Sequence, residues 1–261
     1  MAVRTFWKGY LKLSLVTCAV AMSPATSQSE KLRFHTLNRQ TGNRVQSRYV
    51  DAVTGKPVAE EDEVKGYPRG EDDYVMLEDE EIEAVALEST RTIDIQTFVP
   101  EDSIDWIWYD TPHYLVPDDK VGEEAFTVIR EAMRASKVAG IARLVLYRRE
   151  RAVMLVPRGK GIVVWTLRYG DEVRREDDYF AGIPEEKPDP DARDLIDRLI
   201  KARSLAWSPA LIKDPVEDKL KEIIAAKKKG RKAKKPASAP PPSEGNVINL
   251  IDALRNSLKG K

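Results

Sequence analysis

Two stretches of this 261-residue sequence concentrate basic side chains. Between residues 31 and 56, Lys31, Arg33, Arg39, Arg44, Arg48 and Lys56 stand against a single acid, Asp51. Farther on, Lys227, Lys228, Lys229, Arg231, Lys232, Lys234 and Lys235 place seven bases in nine positions with no acid. The chemistry open to such runs is phosphate attraction. Guanidinium and ammonium groups bind backbone phosphates strongly and carry no information about base sequence. The chain as a whole is neutral, with 43 Lys and Arg against 43 Asp and Glu. The compensating acids are segregated: residues 60–88 hold thirteen, opposed only by Lys65 and Arg69, for a net −11. Residues 130–175 carry a net +8. A zero total therefore conceals basic surfaces suited to a polyanion, with the acidic block reading as a solvated outer face.

Signs of catalysis are sparse. One cysteine, Cys18, cannot form an intramolecular disulfide, and with only His35 and His113 beside it the chain is poor in zinc ligands. G-x-G-x-x-G, the P-loop and G-x-S-x-G are all absent. The reading is a protein that is not an enzyme and needs no cofactor. The competing reading is a metal-dependent nuclease or other DNA-processing enzyme that uses the acids of 60–88. Against it, a run such as Glu60-Glu61-Asp62-Glu63 points alternate side chains in opposite directions on a strand.

What must position the bases is mostly β-structure. Length alone suggests one large domain or two unequal parts. Hydrophobic residues at 42% supply a core, and a mean hydropathy of −0.46 fits a soluble chain. Residues 91–99, 141–148, 152–157 and 161–167 read as strands, with hairpin turns at 149–151 and 158–160. Many short strands with close turns predict an antiparallel barrel or sandwich. One helix interrupts them: Phe126, Ile129 and Met133 fall at i, i+3 and i+7, with Gly140 past its end. Trp106 and Trp108 read as barrel packing, and His113 as structural.

The first residues admit two readings. Arg4 and Lys8 before the apolar run Leu13–Met22, then Ser23-Pro24-Ala25, resemble a secretory signal and would suit a secreted surface protein. The alternation of Leu11, Leu13, Leu15 and Thr17 with Lys12, Ser14, Val16 and Cys18 predicts instead one core strand. No later stretch is apolar enough to span a membrane.

After Gly182-Ile183-Pro184 the pattern turns helical. Asp189-Pro190 and Asp214-Pro215 are N-cap and N1 pairs, followed by stripes at Leu195, Ile196, Leu199 and Ile200, and at Leu220, Ile223 and Ile224. These helices are too narrow to bury themselves and must pack on the barrel or on a partner chain; 183–229 is expected to be an arm that makes dimer contacts, with 190–226 crossing onto the partner barrel. Residues 230–245 are linker by composition, basic and then proline-rich. In 246–261, Val247, Leu250, Ile251, Leu254 and Leu258 share one helical stripe. A stripe beyond such a linker reads as a docking peptide, the alternative being a helix that folds back on its own domain.

These segments resemble one family. Trp7-Lys8-Gly9, Phe34-His35-Thr36-Leu37, Val64-Lys65-Gly66-Tyr67, Ser89-Thr90-Arg91-Thr92-Ile93-Asp94-Ile95, Tyr114-Leu115-Val116-Pro117-Asp118 and Leu167-Arg168-Tyr169 run in order through residues 1–180. They resemble prokaryotic Ku, the DNA end-binding protein of non-homologous end joining. The resemblance implies a mainly β chain: a Ku-core β-barrel at 1–182 with an inserted bridge at about 31–75 that encircles DNA, then the helical arm and a basic tail. It implies a homodimer whose two bridges close a ring around duplex DNA ends, and it makes the first strand part of the mature fold. It places the six bases of 31–56 on the inner wall of the ring. It gives the seven tail bases DNA contacts and the final stripe the recruitment of DNA ligase D. It also implies a cytoplasmic, nucleoid-associated protein of double-strand break repair. One departure matters. Where some relatives carry a Cys-x-x-Cys pair just before Gly55, this chain has Asp51 and Thr54, so no metal is expected and the bridge is expected to rest on strand pairing alone.

Overall fold

The computed structural model describes residues 5–27, 31–71, 73–85, 91–229 and 250–259. The chain divides into two units after Arg175.

The first unit is built on a closed seven-stranded barrel. Its strands are β1 (Trp7–Leu13), β2 (Val16–Pro24), β5 (Thr92–Pro100), β6 (Tyr109–Pro117), β7 (Val138–Leu146), β8 (Arg149–Arg158) and β9 (Gly161–Leu167). They close in the order β1-β2-β6-β9-β8-β7-β5, and the seam is the one parallel pairing, Leu11 opposite Ile93. Strand alternation sends one set of side chains inward. Leu11, Val20, Met22, Ile93, Leu115, Leu144, Val153, Leu155, Ile162 and Val164 form the core. Met154 and Val163, which point the other way, are buried too. Burial on both faces explains why β8 and β9 read as unbroken apolar runs rather than alternating ones.

The helix α2 (Lys120–Ser136) packs on β2, β6, β7 and β8. Phe126, Ile129 and Met133, the three residues picked out by periodicity, all enter the core. Asp119 caps it by accepting from the Gly122 amide at 2.6 Å. The helix stops earlier than Gly140 suggests. Lys137 takes the left-handed conformation at φ 54° and ends it, while Gly140 sits inside β7 against Ile95 and Met133.

Two turns also differ from expectation. The predicted single strand through residues 11–18 is a hairpin, with Ser14 at φ 54° turning the chain and Leu15 exposed at its tip. The turn expected at 149–151 lies at Tyr147 and Arg148, both at positive φ, with Leu146 paired to Arg149. Two positive φ values are the signature of a type I′ turn, the form that matches strand twist. Here it is made without glycine or asparagine, so the sequence carried no marker for it.

Trp106 also departs from the packing role, whereas Trp108 is half-buried. They belong to a single 3-10 turn, and Trp106 is 77% exposed. Since β5 and β6 run the same way, their connection must travel the length of the barrel on its outside, which leaves Trp106 on the surface. Tyr109, at its end, packs its ring against Trp165 in a tilted arrangement, centroids 5.2 Å apart.

Between β2 and β5 lies the insertion. It contains a hairpin of β3 (Lys65–Gly70) and β4 (Asp73–Leu77), then the short helix α1 (Asp79–Ala84). The second unit consists of α3 (Asp177–Phe180), α4 (Pro190–Arg203), α5 (Pro215–Lys228) and α6 (Leu250–Lys259). Both expected caps form: Asp189 accepts from the amides of Asp191 and Ala192, and Asp214 from those of Val216 and Glu217. Among the described residues, no helix is long and apolar enough to cross a membrane.

Candidate nucleic-acid interface

The basic segment 31–58 has no extended ladder. Its backbone is organised by two turns of the same design. In the first, the Asn38 side chain accepts from the amides of Gln40 at 2.8 Å and Thr41 at 3.3 Å. In the second, the Asp51 carboxylate accepts from the amides of Val53 at 2.9 Å and Thr54 at 2.7 Å. Thr41 and Thr54 then each accept from the amide two residues on. Gly42 and Gly55 follow at φ 73° and 66°, a conformation that costs glycine nothing. Single bridges, Leu37 with Arg44 and Val50 with Pro57, close the two loops. Side-chain caps, rather than strand pairing alone, therefore hold this part of the insertion. The Thr54 amide, then the Thr54 hydroxyl and the Val53 amide, keep the Asp51 carboxyl below its ordinary range.

These turns set the placement of the bases. Arg39 and Arg44 flank the first turn, Arg48 lies in the extended link, and Lys56 closes the second. Arg44, Gln46 and Arg48 line a shared cleft of about 580 Å³ with Val45 and Ser47. All six bases, Lys31, Arg33, Arg39, Arg44, Arg48 and Lys56, are exposed. Among the described residues, none of the six forms an ion pair.

Several bases on the barrel, by contrast, meet acids. Lys8 pairs with Asp118 at 2.9 Å, Lys12 with Asp94 at 3.2 Å, Arg143 with Glu150 at 3.2 Å and Arg168 with Asp110 at 3.6 Å. Arg130 and Arg134 share Glu131. They also donate to the carbonyls of Lys160 and Gly159, which ties the β8–β9 turn to α2. Arg148, on the β7–β8 turn, binds Glu83 of α1, and that partner raises the guanidinium above its ordinary range.

The described acids of 60–85 spread over a 3-10 turn, the β3–β4 hairpin and α1, and are exposed; Asp72 lies outside the described residues. Lys65 meets Asp79 at 2.7 Å and Arg69 meets Asp73 at 2.8 Å. Among the described residues, no group of three or more His, Cys, Asp or Glu is placed to hold a metal ion.

The insertion also exposes apolar surface that its own fold does not cover. Tyr67 is 67% exposed and Met76 68%; Tyr49, Val50, Val53, Tyr74 and Val75 are exposed as well. A two-stranded hairpin has marginal stability by itself, and contiguous exposed apolar surface marks a contact site.

In the tail, Lys227, Lys228 and Lys229 are exposed at the end of α5, where cations complement the helix dipole. Arg231, Lys232, Lys234, Lys235 and Val247, with the side chains of Leu250 and Leu258, lie outside the described residues. Ile251 and Leu254 are half-buried on one side of α6.

A family model described as the Ku70/Ku80 beta-barrel domain matches residues 12–195. Among curated proteins, the "Non-homologous end joining protein Ku" of Methylocella silvestris is 64% identical over 261 residues, covering 99% of this chain and 96% of the relative. The protein of the same name from Allorhizobium ampelinum is 56% identical, covering 98% and 95%. That from Coxiella burnetii is 32% identical, covering 100% and 96%.

Proposed function

This chain belongs to the Ku family, and from that membership we propose that it binds double-stranded DNA ends without sequence preference, as a ring-shaped homodimer acting in non-homologous end joining. The observation that carries this reading is the contrast in ion pairing. Lys8, Lys12, Arg143 and Arg168 on the barrel are matched to local acids, whereas the six on the insertion are exposed and unmatched. Unmatched cations are available to phosphates, and their exchange for counterions supplies affinity independent of sequence. The paired turns at Asn38 and Asp51 fix where those cations stand, which lowers the cost of ordering them on DNA.

A second copy explains the apolar surfaces. The insertion exposes Tyr67, Tyr74 and Met76, and the arm exposes Leu205, Trp207, Leu211 and Ile212. In the proposed dimer these surfaces are covered, the two insertions close the ring, and 183–229 supplies further contacts. An obligate interface of this type buries about 2,000 Å² or more. Lys227–Lys229 and the bases beyond them then hold internal duplex, and the α6 stripe recruits DNA ligase D. The site of action is the cytoplasm, at the nucleoid. The reading needs no cofactor and no catalytic residue.

The test is a binding titration on a linear duplex. Reversing Arg39 and Arg44 together to Glu should weaken binding to all sequences alike. Affinity of the parent should fall on the order of a thousandfold between 50 and 200 mM salt, as expected for about six to ten phosphate contacts. Parent-like affinity in the double variant would remove the insertion from the interface. Sedimentation at micromolar concentration should give the dimer mass, and a monomer would overturn the ring.

A further inference from the structure

We propose that α6 is a latch seated on α4 of the same chain, so that a partner that takes the apolar stripe of α6 must first lift it away. This rests on the reading of that stripe as a docking peptide.

The two helices turn matching faces to each other. On α4, Ala192, Leu195 and Leu199 fall at i, i+3 and i+7. Ala192 is 6% exposed and the other two are half-buried, whereas Asp191, Arg193, Asp194, Asp197 and Arg198 are exposed. On α6, Ile251 and Leu254 fall at i and i+3 and are half-buried, whereas Ala253, Arg255 and Ser257 are exposed. α4 and α6 pack against each other. The residues that would anchor an amphipathic peptide in a partner's groove are thus the ones that face α4.

The contact is built to be reversible. A ten-residue helix is too short to hold its shape in water without cover. Its burial on α4 is only partial. Residues 230–249 tether it, and a short tether gives an effective concentration on the order of millimolar. A contact of millimolar strength is therefore poised near balance between shut and open, where a partner of higher affinity can take the stripe. Each tenfold bias toward the shut state lowers the partner's apparent affinity about tenfold. The shut state keeps an apolar stripe out of water when no partner is present.

The first measurement needs no partner. Amide hydrogen exchange across 193–203 in the full chain should be several-fold slower in the parent than in Leu254→Asp. Equal exchange in the two overturns the latch, whatever the ligase does. The second measurement uses the ligase. Leu195→Asp, or Ala192→Glu at the other end of the α4 stripe, should open the latch and tighten ligase binding several-fold, whereas Leu254→Asp should weaken it. Parent-like ligase affinity in both α4 variants overturns the competition. Ligase binding unchanged by Leu254→Asp sinks the docking-peptide reading instead, while the exchange difference persists.

Discussion

The Asp51 carboxylate does for the second turn of the insertion what the Asn38 amide does for the first: each accepts from the backbone amides two and three residues ahead. One of the two caps is charged and the other is neutral, which separates the role of shape from the role of charge. Asp51→Asn should preserve the turn, since Asn38 shows that an amide oxygen suffices. Asp51→Ala should speed exchange of the Val53 and Thr54 amides. The hydrogen bonds hold the Asp51 carboxyl below its ordinary range, so its contribution is complete above the unfolded value of about 3.9 and is lost as pH falls through the folded one. Exchange protection at these amides that is indifferent to the Ala substitution would show that the glycine conformations alone define the turn.

Barrel closure is vulnerable at its parallel seam. Gly9 on β1 lies against the carbonyl of Arg91, which accepts from the Tyr10 amide at 2.8 Å where β1 meets β5. A Cβ at Gly9 would collide with that carbonyl and with the Trp7 ring. Gly9→Ala should therefore destabilise the fold by about 1–3 kcal/mol or more, in the range of overpacked cores. Thermal unfolding followed by far-UV circular dichroism checks this, and an unchanged midpoint would mean that the seam can open to admit a methyl group.

His113 gives the barrel a dependence on pH. It is 6% exposed and stacks on Phe6 with centroids 5.8 Å apart. Burial pushes its imidazole below the ordinary value, opposed by the backbone at Thr111 and Val164 and by the Asp110 carboxylate. The folded state thus favours the neutral ring. Its contribution is whole above about pH 6.5, where the unfolded ring is also neutral, and declines as pH falls below that value. The midpoint of thermal unfolding should drop more between pH 7 and pH 5 in the parent than in His113→Gln. Parallel pH profiles in parent and variant would refute a titrating role for His113.

The elements that were legible in the sequence are those whose signals are local. Asp189-Pro190 and Asp214-Pro215 mark helix starts because cap and ring each act on their own neighbours. Phe126, Ile129 and Met133 mark α2 because one face of one helix repeats. The turns at Ser14 and at Tyr147-Arg148 carry no glycine or asparagine to mark a positive φ, and strand pairing on both sides holds them. Trp106 was misjudged for a topological reason. Whether an aromatic packs or protrudes depends on the path of the β5–β6 connection, and that path follows from a parallel pairing between distant strands. The same limit applies to the bases. Composition shows that Arg39 and Arg143 are both cations. Only the β7–β8 register, which brings Arg143 to Glu150, shows that one of them is already satisfied.

Threading of the proposed ring onto a free end can be read out by binding one duplex sequence in two forms, linear and covalently closed. Binding to the linear form should be tight and salt-sensitive, and binding to the closed circle weaker by on the order of a hundredfold or more, the gap between end capture and non-specific phosphate contact. Equal affinity for the two forms would contradict threading.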